Sequence, residues 1–197
     1  MSNSGFTSEK LNLTLAICAI FISVASFYAT YIQANAAEKQ VKAMTLPLLH
    51  FASGNYDSEE DLSAITLTLK NAGVGPALIK SVSYNYKGIE YSSITHFFRG
   101  CCDKEYQAYK KLNGKRGKVK EGGFYHSSLA NTILPSQESV TFLKLYSHKK
   151  DNTFWETINT ARFNLSVQIC YCSILNECYI TEKNGRIDSV DACSVKY

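Results

Sequence analysis

Residues Ser63 to Ala77 read SAITLTLKNAGVGPA, and this stretch decides the class of fold. Ile65, Leu67 and Leu69 alternate with Thr66, Thr68 and Lys70, the period of two that marks a strand with one buried face. Asn71, Gly73, Gly75 and Pro76 then stop the strand. Glycine takes positive φ at no steric cost and proline presets φ for entry into the next strand, so a structural turn joining two strands is expected, with Gly73 and Gly75 supplying its left-handed positions.

The same period recurs further along the chain. From Arg162 to Tyr171, Phe163, Leu165, Val167, Ile169 and Tyr171 alternate with Asn164, Ser166, Gln168 and Cys170. Val82, Tyr84 and Tyr86 predict another strand, closed by a Lys87-Gly88 turn before Ile89 to Tyr91. Val140 to Leu145 gives a further one, and Cys178 to Thr181 returns from a turn at Ile174 to Asn176 as the second arm of a hairpin. Helical candidates are short: Asp103 to Leu112 and Thr153 to Asn159. Several short antiparallel strands with turn signals between them predict a β-sandwich.

Composition adds a second element. The chain has 197 residues, 45% hydrophobic and 19% charged, which excludes collagen, low-complexity polymers and charged disordered tails. No charged residue occurs from Leu11 to Ala37. Leu11 to Ile32 (LNLTLAICAIFISVASFYATYI) is about 22 residues, roughly 33 Å as a helix, enough to cross a hydrocarbon core of about 30 Å. Tyr28 and Tyr31 lie near one end, where aromatic rings favour headgroups. Residues 1–10 are then a tail, 11–32 a transmembrane helix, 33–45 a helical stalk ended by Pro47, and 46–197 one β-sandwich domain.

A rival reading is a signal peptide cleaved after Ala36, because Ala34-Asn35-Ala36 has the small-x-small form; the apolar run is longer than a signal core and lacks a basic leader. The flanking cations, Lys10 before the span against Lys39 and Lys42 after it, favour a cytoplasmic domain by one charge. Within the span, Ala16, Ala19, Ser23 and Ser26 recur at spacings of three and four and form a seam of small residues through which two helices can pack.

The run from Leu67 to Ala77, the Leu134-Pro-Ser-Gln-Glu138 turn and the late segment Cys170-Tyr-Cys-Ser-Ile-Leu-Asn-Glu-Cys178-Tyr179 together resemble a group of prokaryotic immunoglobulin-like domains. In that group an N-x-G-x-G-P-A turn follows an early strand. Many of its members are single-pass membrane proteins with an N-terminal anchor and no assigned function. The resemblance implies an immunoglobulin-like β-sandwich over about Ser63 to Thr181. Departing from the pattern is an insertion from about Phe97 to Tyr125, short, helical and basic.

That insertion carries Lys110, Lys111, Lys115, Arg116, Lys118 and Lys120 with no acid among them. A solvated loop is the plain reading, contact with anionic lipid the functional one, and nucleic acid is disfavoured because few aromatic rings accompany the charge. Six cysteines lie beyond the span: Cys101, Cys102, Cys170, Cys172, Cys178 and Cys193. They read as ordinary reduced thiols in a cytoplasmic domain or as disulfides in an exported one, with Cys172 and Cys178 set opposite each other by the hairpin. Zinc is a third reading, weakened because C-x-C on a strand is not the C-x-x-C knuckle. Cys170 and Cys172 fall on the face opposite the evident core face, awaiting a cover such as the helix after Cys101. The acidic group Asp57, Glu59, Glu60 and Asp61 reads as a solvated loop ahead of a weak calcium site.

No catalytic residues, cofactor or metal set is expected. The sequence reads as a membrane-anchored sensing or protein-interaction module, non-catalytic, with an unidentified protein partner and homo-oligomers through the anchor. An exported, disulfide-bonded binding protein is the alternative. A cysteine-dependent hydrolase pairing Cys101 or Cys102 with His96 or His126 is third.

Overall fold

The computed structural model describes residues 8–113, 122–182 and 185–193. It divides at Met44 into two compact units. The first is helix α1, Ser8–Met44, none of whose residues is buried. It is long and apolar enough to cross a membrane, a property that a signal sequence near the N-terminus shares. The Ser23 and Thr30 hydroxyls donate to the carbonyls of Ala19 and Ser26 at 2.8 Å each, so these polar groups are satisfied inside their own helix.

The second unit, Thr45–Tyr197, contains ten strands in two antiparallel sheets and two helices among the described residues. In chain order these are β1 (Leu49–Gly54), β2 (Ala64–Asn71), β3 (Ala77–Tyr86), β4 (Ile89–Tyr91), α2 (Ile94–Asn113), β5 (Phe124–His126), β6 (Thr132–Leu134), β7 (Ser139–Tyr146), α3 (Thr153–Ala161), β8 (Leu165–Cys172), β9 (Cys178–Thr181) and β10 (Ile187–Val190). One sheet has the order β1-β2-β7-β5; the other runs β10-β9-β8-β3-β4, with β6 also paired to β3. The two inner faces meet at Phe142 of β7, whose ring lies 6.2 Å from Phe51 of β1 and 6.5 Å from Tyr84 of β3. Burial pushes the Tyr84 phenol up to about 12.

The architecture is mixed, because α2 and α3 belong to the core. The apolar stripe Ile94, Phe97, Phe98, Cys102, Tyr106 and Tyr109 keeps to helical spacing and is buried along its length. Phe98 meets Phe154 of α3 edge-on at 5.2 Å, and Tyr109 lies 4.7 Å from the same ring. Such ring pairs contribute about 0.5–1.5 kcal/mol each beyond area burial. The part of the expected insertion that α2 occupies is therefore structural. It begins nine residues before the predicted Asp103 because Ser93 caps it, accepting the His96 N–H at 3.2 Å. Strand β8 also starts later than its alternation implied: Phe163 is 66% exposed, with Arg162 held over its ring at 4.3 Å, so it does not join the core face.

The Asn71 turn is where the structure departs most usefully from expectation. Neither Gly73 nor Gly75 has positive φ; that region is occupied by Gly88, Gly122 and Gly185. Glycine is required for space instead. A Cβ at Gly73 would stand 2.4 Å from the Leu46 oxygen, and one at Gly75 would stand 2.0 Å from that of Thr45. The backbone of 45–48 lies directly against the turn, with Ala72 N–H donating to Leu48 O at 2.8 Å. Asn71 ties the region together. Its side chain is fully buried; Nδ2 donates to the carbonyls of Gly75 (2.8 Å), Leu134 (3.2 Å) and Pro135 (3.1 Å), while Oδ1 accepts from Leu48 N (3.2 Å) and Gly73 N (3.0 Å).

Asp57, read as part of a solvated acidic loop, is instead nearly buried and paired with Lys144 of β7 at 2.6 Å. The Lys144 hydrogen bond holds its carboxyl below the ordinary range. A folded pKa below the unfolded one means the pair stabilises above about pH 4 and loses that contribution as pH falls through the folded value. Unfolding measured against pH should therefore show an acid slope below about pH 4 that Lys144→Met reduces. Asn71→Ala strands several buried backbone groups at about 1–3 kcal/mol each, so a loss of at least about 3 kcal/mol is expected in denaturant unfolding, and Gly75→Ala should cost more than about 2 kcal/mol through backbone displacement.

Candidate functional site

Strand β8 is half-buried at its start and doubly buried at its end. Leu165, Val167, Ile169 and Tyr171 face the core, whereas on the outer face Gln168 is exposed and Cys170 and Cys172 are buried. The change has a local cause. After β8 the chain turns tightly through Ser173, whose N–H donates to Glu177 O at 2.8 Å and whose hydroxyl accepts from Leu175 N at 3.2 Å. Asn176 takes the left-handed position at φ 60°. The turn sets Cys172 opposite Cys178 in the β8–β9 register, and the two are disulfide-bonded. Strand β10 then pairs with the far side of β9, and the chain beyond it crosses back over the outer face so that Cys193 bonds Cys170. The cover over the outer-face cysteines is this C-terminal segment, not the helix after Cys101.

The two disulfides touch. Cys172 Sγ lies 3.9 Å from Cys193 Sγ, and the sulfurs of Cys172, Cys178 and Cys193 all lie within 4.8 Å of one another. Four cysteines separated by up to 23 residues thus converge in a single cluster, of which Cys170, Cys172 and Cys178 are buried and Cys193 half-buried.

Cys101 and Cys102 stand apart from it, on α2, and are bonded to each other. Adjacent residues of a helix project about 100° apart, so a bond between them demands a departure from helical dihedrals. Cys102 makes it, at φ −151° and ψ 39°, and α2 is kinked there. All six cysteines outside α1 are therefore paired, and the reduced-thiol reading does not describe this state. The histidines drawn into the hydrolase reading have their own neighbours: His96 Nδ1 lies 3.0 Å from Ser92 Oγ, and His126 stacks on Phe124 at 5.9 Å.

Among the basic residues, Lys110 and Lys111 form the last turn of α2, with Lys110 Nζ 4.8 Å above the Tyr106 ring. Lys115, Arg116, Lys118 and Lys120 lie outside the described residues. A groove of about 250 Å³ runs between α2 and the start of α3, lined by Lys104, Tyr109, Leu112, Asp151 and Phe154 among others.

Comparison of the chain with family models, with curated proteins and with solved structures finds no match.

The three disulfides close loops of very different length, and loop-closure entropy ranks them. For sequence separations of 23, 6 and 1, the expected losses on paired Cys→Ser replacement are about 3 kcal/mol for Cys170–Cys193, about 2 kcal/mol for Cys172–Cys178 and under about 1 kcal/mol for Cys101–Cys102. Denaturant unfolding of the three double variants checks the order.

Proposed function

We propose that the chain is a single-pass membrane protein whose helix α1 anchors a non-catalytic, immunoglobulin-like sensing or protein-interaction domain on the oxidising side of the membrane. The observation that carries the anchor is α1 itself, apolar over a membrane's thickness, without a single buried residue, and helical without a break through Ala34-Asn35-Ala36 to Met44. A span running on into a stalk is favoured over cleavage after Ala36 by that continuity.

Strand order supports the immunoglobulin-like reading. The sequence β1-β2-β7-β5 in one sheet and β9-β8-β3 in the other corresponds to the ABED and GFC orders of that fold, with β4 added beside β3. The helices α2 and α3 then occupy the connections before β5 and before β8. The side of the membrane is argued from chemistry. Three disulfides persist only where thiols are not kept reduced, and this consideration outweighs a difference of one lysine between the two ends of the span. The proposed orientation is thus opposite to the one that the lysine count favours.

Contact of the basic stretch with anionic lipid belongs to a cytoplasmic domain and is not part of this proposal, whereas the seam Ala16, Ala19, Ser23 and Ser26 provides a route to homo-oligomers in either orientation. Because the Ser23 hydroxyl is bonded to its own helix, close backbone packing is the interaction that the seam contributes.

The protein should remain in the membrane fraction after alkaline washing with its N-terminus intact; recovery of a soluble chain beginning at Ala37 contradicts the proposal. A phosphatase fused after Tyr197, active only in an oxidising compartment, should be active, and a fluorescent protein that folds only in the cytoplasm should be dark in the same position. In a membrane dimerisation reporter, Ala19→Leu and Ser23→Leu should weaken self-association while Ile22→Leu, off the seam, leaves it unchanged. Equal signals from wild type and both seam variants would mean that the anchor acts as a monomer.

A further inference from the structure

We infer that Cys170, Cys172, Cys178 and Cys193 form a second kind of site: when reduced, their four thiolates bind one zinc ion, so that the cluster is a redox-gated metal site. The inference does not depend on the anchor, and the site forms wherever a dithiol reductant reaches the domain.

Geometry supports it first. A tetrahedral zinc–thiolate centre has Zn–S bonds of about 2.3 Å, hence sulfur–sulfur edges of about 3.8 Å. Cys172 Sγ and Cys193 Sγ, which belong to different disulfides, are already 3.9 Å apart. Cys178 Sγ lies within 4.8 Å of both, and Cys170 is bonded to Cys193. Two changes complete the site: each covalent pair opens from a bond of about 2 Å to an edge of about 3.8 Å, and Cys170, which stands outside the close group of three, turns its sulfur toward Cys172 and Cys178.

Placement is the second support. The ligands come from two neighbouring strands and one returning segment: Cys170 and Cys172 from one face of β8, Cys178 from its partner β9, and Cys193 from the chain that crosses above them. The C-x-C pair does not form a knuckle, and it does not need to. Residues i and i+2 of a strand share a face, and the third and fourth ligands close the tetrahedron from the hairpin partner and from above. Three of the four side chains are buried and the fourth is half-buried, which leaves the ion shielded from competing water and closes the site in the manner of structural zinc.

The chemistry balances. Two disulfides take four electrons and four protons from two equivalents of a dithiol reductant, which become disulfides, and yield four thiols. Zinc binding then releases four protons and leaves a tetrathiolate centre of net charge −2. Reoxidation by a disulfide exchange partner ejects the ion. In either state the C-terminal segment stays fastened to the outer face, by covalent bonds in one and by the metal in the other.

The test uses the full-length chain in detergent micelles, reduced with a phosphine, freed of reductant without air, and titrated with cobalt and then zinc. The reduced protein should bind one cobalt per chain with the visible spectrum of a tetrahedral thiolate centre, zinc should displace it, and zinc should raise the Tm of the reduced protein. Air-oxidised protein should bind none. Cys193→Ser and Cys178→Ser should each weaken binding more than tenfold, whereas the double variant Cys101→Ser with Cys102→Ser should bind as wild type does. Far-UV circular dichroism tracks the fold throughout. A reduced protein that keeps its strands but gives no tetrahedral thiolate spectrum overturns the proposal, as does one that unfolds and is not restored by zinc. Binding by the oxidised protein, or binding that survives Cys193→Ser unchanged, overturns it equally.

Discussion

Asn71 is the point on which the two sheets depend. The chain passes from one sheet to the other between β2 and β3, and again between β6 and β7, and both passages lie against this one side chain. At such crossings the backbone leaves one ladder before it joins the next, so its N–H and C=O groups lack sheet partners while lying too deep for water. A carboxamide offers donors and an acceptor on one rigid plane. Asn71 uses both, binding carbonyls of the β2–β3 and β6–β7 connections with Nδ2 and the N–H groups of Leu48 and Gly73 with Oδ1. Aspartate would lose the donors and serine would lack the reach. Low dielectric strengthens every one of these bonds and makes the loss of any of them costly.

The glycines serve the same junction. Residues 45–48 can lie flat against the turn only because positions 73 and 75 carry no Cβ. That contact fixes where β1 begins, and Gln137 reinforces it by donating to the carbonyls of Ala72 and Gly73 at 3.0 Å. From a sequence, a glycine needed for a torsion and a glycine needed for a close approach look alike, because both are simply a missing side chain. The turn was legible as a turn; its mechanism was not, since the approaching segment lies more than twenty residues earlier.

Other elements divide along the same line between local and distant causes. Strands β2 and β8 were legible because alternation is written within each of them, and β9 because the turn before it returns the chain as a hairpin arm. The three-residue strands β5 and β6 were not, for pairing with β7 and β3 defines them and nothing internal does. Helix α2 did carry its signal, in the helical spacing of Ile94, Phe97, Phe98, Cys102, Tyr106 and Tyr109, but the paired cysteines and a Gly interrupt the stripe where it is most aromatic. Asp57 looked like one acid among several. Its partner Lys144 is 87 residues away, and only the fold makes that carboxylate different from Glu59.

The cysteine cluster arises from the same distinction. Strand β8 shows, by its alternation, that Cys170 and Cys172 face away from the core, and an outward-facing small apolar side chain is ordinarily half-exposed. Here both are buried, so something must cover them, and the cover is a segment with little apolar content of its own: Asp191 and Ala192 lead to Cys193. Hydrophobic burial cannot hold so short and polar a stretch against its conformational entropy, about 1–2 kcal/mol per residue for the backbone alone. A covalent bond can, because closing the 23-residue loop removes most of that entropy from the unfolded chain as well. The segment therefore stays in place only while Cys193 is fastened. The sulfur cluster is thus a part of the domain whose structure is set by redox chemistry instead of by packing: once reduced, Cys170, Cys172 and Cys178 remain on two paired strands, and only a new bond to Cys193 holds the last segment over them.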